Sequence, residues 1–252
     1  GWDDLTKYTL TLDAIAEWNI TYRCNLKCLA CNRLSFVPKP PALWIPDMTL
    51  RDAEKFIKEA EQLGWKPPIL RIIGGEPTLH PEIEDFAKLA ASYVPGRVEL
   101  WSNLYTPEAR HLADRLEQEG MWKVIRHTAK PRSMSLSCRE YWIAPKEVGK
   151  RRRKPCSQHA SFKRCGVSVD SLGYTQCGCG GIMDSVLQLN ARTTKLADLF
   201  DSKWTKKHIQ TLCGMCGVEL DIPKDNLPMI HGVHMSKTWA QKVMQLQQIE
   251  NY

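Results

Sequence analysis

The 252-residue sequence predicts an α/β fold of parallel strands joined by crossover helices. Three observations carry that reading. Short apolar runs alternate with longer helical stripes from residue 14 to 128, at roughly 30 residues per unit. The stripes have start and stop signals in the right order. The pattern then breaks after residue 129, where a basic run and a second group of cysteines begin. Strands alternating with helices at this pace pair in parallel through right-handed crossovers, which fits a doubly wound sheet or a segment of a barrel.

The first strand is predicted over residues 14–20, with Ile15, Trp18 and Ile20 as its apolar positions, and it runs directly into a cysteine-rich loop. Leu50, Ala53, Phe56, Ile57, Ala60 and Leu63 then lie on one helical stripe, opened by a Thr49/Asp52 capping box and closed at Gly64. Residues 69–73 read as a buried strand ending at Gly74-Gly75. Residues 81–92 read as a helix with Ile83, Phe86, Ala87 and Ala90 inward. A third strand (98–101) leads to a helix capped by Thr106-Pro107 that carries Ala109, Leu112, Ala113 and Leu116 and stops at Gly120. A fourth strand follows at 123–127. Beyond it, residues 133–137 are one further possible strand. Residues 166–170 and 174–177 form a hairpin about Ser171-Leu172-Gly173, residues 196–212 are largely helical, and residues 236–252 form a closing helix with Trp239, Val243, Leu246 and Ile249 on one face. The expected division is 1–150, 151–220 and a tail at 221–252.

Hydrophobic residues make up 43% of the chain and charged residues 25%, as in ordinary soluble proteins. No apolar run approaches the ~20 residues of a membrane span. No secretory signal is visible in residues 1–11, so the expected location is the cytoplasm. The net charge of +7 owes much to one run, Lys150-Arg151-Arg152-Arg153-Lys154, with Lys146 nearby. A solvated linker is the favoured reading of that run. Nucleic acid is the less favoured partner, because no stacking aromatics interleave the basic residues.

Ten cysteines in a chain of this kind argue for metal or redox chemistry rather than disulfide bracing. They form an N-terminal trio, Cys24, Cys28 and Cys31, and a C-terminal set, Cys156, Cys165, Cys177, Cys179, Cys213 and Cys216, with Cys138 alone between them. Three thiolates within eight residues can hold three corners of a cubane and leave one iron open. The competing readings are a zinc knuckle and buried thiols. Zinc wants a fourth ligand close by, and the nearest histidine in sequence is His80.

The spacing of Cys24, Cys28 and Cys31 after a first strand resembles the signature of radical S-adenosylmethionine enzymes. Gly74-Gly75-Glu76-Pro77 after the second strand resembles that family's second motif, which holds the amino group of the cofactor's methionine moiety. The resemblance implies a [4Fe-4S] cluster on the trio and S-adenosylmethionine beside it. It also implies reductive cleavage to a 5′-deoxyadenosyl radical that abstracts hydrogen from a substrate. Ser102-Asn103, after the third strand, occupies the same rim and is a further cofactor-contact candidate. The residue before the last cysteine is commonly aromatic in the family and is Ala30 here. Tyr22 and Trp44 are substitutes for the adenine pocket, each also suited to a core role.

On spacing alone, the C-terminal cysteines suit structural zinc and an iron–sulfur cluster equally. The resemblance extends to compact members of the superfamily, of the aminocyclitol dehydrogenase type, that carry a C-terminal "twitch" or SPASM-like extension. It implies a second, auxiliary [4Fe-4S] cluster on Cys165, Cys177, Cys213 and Cys216, with Cys156 able to replace Cys165 and with Cys179 and Cys138 as bystanders. Only about 130 residues separate the two cysteine groups, so the implied fold is a shortened partial (β/α) TIM-type barrel with a small C-terminal hairpin-plus-helix cluster-binding domain. The expected function is net oxidation of a small polar molecule, sugar or cyclitol-like, with an electron donor such as a flavodoxin or ferredoxin. Radical modification of a peptide or RNA is the alternative, and a non-catalytic zinc-binding protein the remote one. Arg126 and His127, ending the fourth strand, are weak candidates for acid–base work.

Overall fold

A computed structural model describes residues 2–38, 40, 44–120, 123–126 and 140–248. Four parallel strands, β1 (Ala16–Thr21), β2 (Leu70–Gly74), β3 (Val98–Ser102) and β4 (Lys123–Arg126), are joined through α1 (Leu50–Gln62), α2 (Ile83–Tyr93) and α3 (Pro107–Gln118). The α/β fold with a parallel core is therefore as expected. The helix signals also act as read. Thr49 accepts from the Asp52 amide and Asp52 bonds back to Thr49, completing the capping box of α1, while Thr106 caps α3 with Pro107 in its first turn. Of the predicted features, His127, Cys138, Ile249 and the possible strand at 133–137 lie outside the described residues.

The sheet has six strands in the order β4-β3-β2-β1-β5-β6. β5 (Val167–Asp170) pairs in parallel with β1, and β6 (Gly173–Thr175) returns antiparallel on β5. The hairpin from the C-terminal part is thus continuous with the sheet, and β1 is hydrogen-bonded on both sides. Asp170 fixes the turn: one carboxylate oxygen accepts from the Leu172 amide at 2.9 Å, while the other meets the Tyr22 hydroxyl at 2.8 Å and Arg192 at 2.8 Å. Tyr22 is fully committed here, inside the core. Trp44 is a partly buried neighbour of a second apolar cluster.

One face of the sheet supplies the main core. Trp18, Leu70, Ile72, Leu100, Val167 and Val169 join one core with residues of α1 and α2, in which Trp18 meets Phe56 and Phe86, and Phe56 meets Trp65, edge to face. The second core lies beneath α4 (Gly180–Leu187), α5 (Ser202–Cys213) and α6 (Lys237–Gln248), where Ile182, Met183, Val186, Trp239 and Val243 are buried. α4 was not predicted from sequence. No described helix is long and apolar enough to cross a membrane.

Candidate active site and a second cysteine centre

β1 delivers the chain straight into the loop bearing Cys24, Cys28 and Cys31, all three partly exposed. The Cys31 amide donates to the Cys28 carbonyl at 3.2 Å, and Leu34 N–H to the Cys31 carbonyl at 2.8 Å, winding the loop into consecutive turns. Ala30 takes a left-handed conformation, φ 56°, which a residue with a Cβ seldom adopts outside such turns. The Leu26 amide approaches the Cys24 sulfur at 3.5 Å. Burial pushes the Cys24 thiol up to about 11, so a bound cation is needed to draw off its proton near neutral pH.

The end of β2 is pressed against this loop's entry. The Gly75 amide donates to Thr21 O at 2.9 Å and the Glu76 amide to Arg23 O at 2.7 Å. A Cβ on Gly75 would lie 2.3 Å from the Arg23 carbonyl oxygen, and one on Gly74 2.0 Å from that of Thr21. Only glycine fits at either position. Pro77 opens a short 3-10 turn in which the Glu76 side chain caps Thr78. Glu76 itself is fully buried. One of its oxygens accepts from Thr78 N–H at 3.1 Å, Thr78 Oγ1 at 2.7 Å and Ser102 Oγ at 2.7 Å; the other accepts from Asn103 N–H at 2.7 Å. Glu76 therefore ties the loop after β2 to the loop after β3. Asn103 reaches onward to the cysteine loop, its side-chain amide 2.9 Å from Asn25 Oδ1 and 3.9 Å from Cys24 Sγ. Three loops at the carboxyl ends of adjacent parallel strands are thereby locked together, the position at which such sheets bind ligands. Arg126 ends β4 opposite Ser102 in the register.

Cys156, Cys165, Cys177, Cys213 and Cys216 all line a single cavity, with Tyr141, Met183 and Leu212 among its apolar walls. Every cysteine assigned to the second centre is there. Burial raises the thiols of Cys156, Cys165 and Cys216 above their ordinary range and pushes Cys213 up to about 12. The donor set is rich in thiols, holds no carboxylate and is shielded from water, which suits a thiolate-ligated centre. Among the described residues, no three His, Cys, Asp or Glu side chains are gathered for a single metal ion. Cys179 does not line the cavity. It is buried at the start of α4, where a hydrogen bond from Cys177 and then the Arg33 guanidinium hold its thiol below the usual range.

The basic run is not a uniform solvated linker. Arg152 is buried in the wall of the cysteine cavity. It donates to the carbonyls of Cys216 at 3.0 Å, Lys154 at 3.2 Å and Val218. Sequence reasoning also missed the polar face of the sheet. Arg71 binds Glu17 at 3.0 Å and Glu99 at 3.2 Å while stacking over Trp101, and Arg33 donates to Asn19 Oδ1 at 3.0 Å beside Glu17. A signal existed: Glu17, Asn19 and Thr21 alternate with apolar residues in a strand whose parallel type is normally apolar on both faces.

Residues 18–130 match the model of the radical SAM superfamily. Among curated proteins, the chain is similar to GTP 3',8-cyclase of Sulfurimonas denitrificans, 34% identical over 80 residues that span 31% of this chain and 23% of that one. GTP 3',8-cyclase of Campylobacter curvus is 29% identical over 121 residues, 47% of this chain and 35% of that one. AdoMet-dependent heme synthase of Methanosarcina barkeri is 31% identical over 112 residues, 44% and 29% respectively. The matched region thus spans about a quarter to a third of these relatives. Among solved structures, BtrN in complex with AdoMet and 2-DOIA superposes with a TM-score of 0.49 and 14% identity, covering 83% of this chain and 94% of that one. The family match across residues 18–130 contains both the cysteine loop and the Gly74–Pro77 motif and identifies that segment as a radical SAM domain.

Proposed function

We propose that the chain is a radical enzyme carrying out net oxidation of a small polar molecule of the sugar or cyclitol kind. It would use a [4Fe-4S] cluster on Cys24, Cys28 and Cys31 with S-adenosylmethionine, and a second [4Fe-4S] cluster in the C-terminal cysteine cavity. The observation that carries this reading is the convergence of the Gly74–Glu76 segment and Asn103 on the cysteine loop. When bound, these groups supply a 5′-deoxyadenosyl radical to take hydrogen from the substrate and a redox centre to accept the remaining electron. The protein's part is positioning. Gly74 and Gly75 let the backbone approach the loop closely, and Glu76 fixes the rim on which Ser102 and Asn103 sit. Arg71, Glu99 and Trp101 lie partly exposed on the sheet face opposite the main core, and polar groups there are what a polyol-like substrate would need. For the second centre the support is the cavity holding all five candidate cysteines. Among them, the set Cys165, Cys177, Cys213 and Cys216, or the same set with Cys156 in place of Cys165, supplies four thiolates. The electron donor would be a small flavodoxin- or ferredoxin-like protein.

The test is metal analysis with product assay under anaerobic conditions. Both centres together predict about eight irons per chain, whereas about four irons with one zinc would overturn the second-cluster half. Reduced protein given S-adenosylmethionine is expected to release 5′-deoxyadenosine. Failure to do so with sugars and cyclitols present, and with the first cluster loaded, would overturn the radical reading.

A further inference from the structure

We infer that a recess between the N-terminal segment and the basic run binds a nucleotide unit, its phosphate held by Lys146, Lys150 and Arg151 and its base placed against Trp2. These four side chains line one recess together with Gln210 and the edge of Arg152, and no acidic side chain lines it among the described residues. The recess has a volume of about 420 Å³, within the roughly 300–1,000 Å³ typical of small-molecule sites.

The recess is built rather than incidental. Residues Pro145–Val148 form a 3-10 turn that ends on Gly149 in the left-handed region, and the Lys150 amide closes it on the Pro145 carbonyl at 2.9 Å. That turn folds Lys146 and Lys150 back toward each other. Arg152 pins the next stretch to the protein through three main-chain carbonyls, so Arg151 projects from a fixed backbone. The Asp3 amide donates to the Arg153 carbonyl at 2.8 Å, tying the N-terminal segment alongside the run. Trp2 is partly buried against the Leu5, Tyr8 and Ile209 cluster, which positions its ring.

Three cations held in a recess without an acid among its walls repel one another, and an anion relieves that repulsion. Phosphate is the anion that Lys and Arg recognise most generally. An aromatic ring beside such cations adds a stacking surface, the combination by which proteins take up nucleotides without reading sequence. In the sequence, no aromatic residue interleaves the run. The fold brings one in from a distant segment, as Trp2. The site shares only Arg152 with the wall of the cysteine cavity and stands whether or not that cavity holds a cluster.

Such a unit occurs free or within an RNA strand, and two calorimetric titrations of the full, cofactor-loaded chain separate the sources. One uses adenosine triphosphate and the other a twelve-residue oligouridylate, both at 0.1 M salt. Comparable affinities would indicate a free nucleotide; binding at least tenfold tighter to the oligomer would indicate a strand. In either case Lys150→Glu combined with Arg151→Glu is expected to weaken binding at least tenfold, and with the oligomer titration repeated at 0.3 M salt the salt slope should fall by about 1.4. Trp2→Ala should cost roughly 5- to 100-fold. Trp2→Phe, which keeps a ring against Leu5 and Ile209, should stay within about threefold. Exposed Lys88 on α2 is the control. The inference is overturned if neither titration saturates, if Lys88→Glu weakens binding as much as the double variant, or if inorganic phosphate competes as well as the nucleotide and Trp2→Ala is silent.

Discussion

Glu76 offers a sharp test of how the rim is held together, because its two oxygens have separate duties. One accepts three hydrogen bonds from Thr78 and Ser102; the other accepts only the Asn103 amide, at 2.7 Å. Glu76→Gln can keep the first set by turning its carbonyl toward it, which leaves the new amide nitrogen facing the Asn103 N–H, donor against donor. A buried hydrogen bond to a charged group contributes about 1.5–3 kcal/mol, so the local opening that exposes the Asn103 amide should become roughly 10- to 150-fold more frequent. Hydrogen exchange followed by mass spectrometry reads this directly. In Glu76→Gln the Asn103 amide should lose protection by that factor, while the Thr78 amide changes less than about threefold. In Glu76→Ala both should lose it. Equal loss at both amides in Glu76→Gln, or equal loss throughout β1 to β3, would mean that Glu76 acts on global stability and that the division of labour between its oxygens is wrong.

Gly75→Ala should reduce 5′-deoxyadenosine formation at least tenfold, since its Cβ would fall 2.3 Å from the Arg23 carbonyl and 2.7 Å from that of Tyr22; iron analysis should show that loss confined to the N-terminal loop. Arg152→Met removes the cation from the cysteine cavity and leaves the carbonyls of Cys216 and Val218 without their donor. With the proposed second cluster in place, its expected result is loss of about half of the bound iron with the first cluster's spectrum unchanged. His208 is kept neutral: burial depresses it to about 3, with Nε2 accepting from the Gln176 amide at 3.0 Å and Nδ1 bonded to the Ala191 carbonyl. Its stabilising contribution is complete above the unfolded value near pH 6.5 and is lost as pH falls, because below that pH the unfolded chain binds a proton that the folded chain refuses. His208→Gln should therefore lose about 2 kcal/mol less than the parent between pH 6.5 and 5, measured from urea midpoints at unchanged m value.

The parts of the molecule legible in the sequence are those governed by local rules. α1 to α3 carry their caps and stripes within a dozen residues each, and the strands leading into Cys24 and Gly74 are fixed by short apolar runs. α4 was invisible because its first turn is Gly180-Gly181, following Cys-Gly-Cys, a composition that reads as loop. Its helical state comes from burying Ile182, Met183, Val186 and Leu187 in a core assembled from distant segments. The five-cysteine cavity was legible as a set of residues, since spacing nominates ligands. The cation in its wall was not. A run of five basic residues looks uniform in sequence, and only the carbonyls of residues 216 and 218, more than sixty positions away, single out Arg152.

The two cysteine centres are also linked in a way that neither motif conveys. β5 follows Cys165 and pairs with β1, while β1 ends at the Cys24 loop, so one strand is shared by the supports of both centres. Arg33, two residues beyond Cys31, turns back along that strand's polar face to Asn19 and Glu17 and comes within 3.9 Å of the Cys179 sulfur. Glu17 then leads through Arg71 to Glu99 across β2 and β3. Replacing buried ion pairs with well-packed apolar residues is often neutral or stabilising, so stability alone is a weak reason to keep this network. Its polar groups lie on the face that the main core leaves free, and Arg33 joins them to Cys179. Because Glu17, Asn19 and Arg33 are buried, the network couples the supports of the two cysteine groups through ionic contacts in a medium of low dielectric, where such contacts are strong.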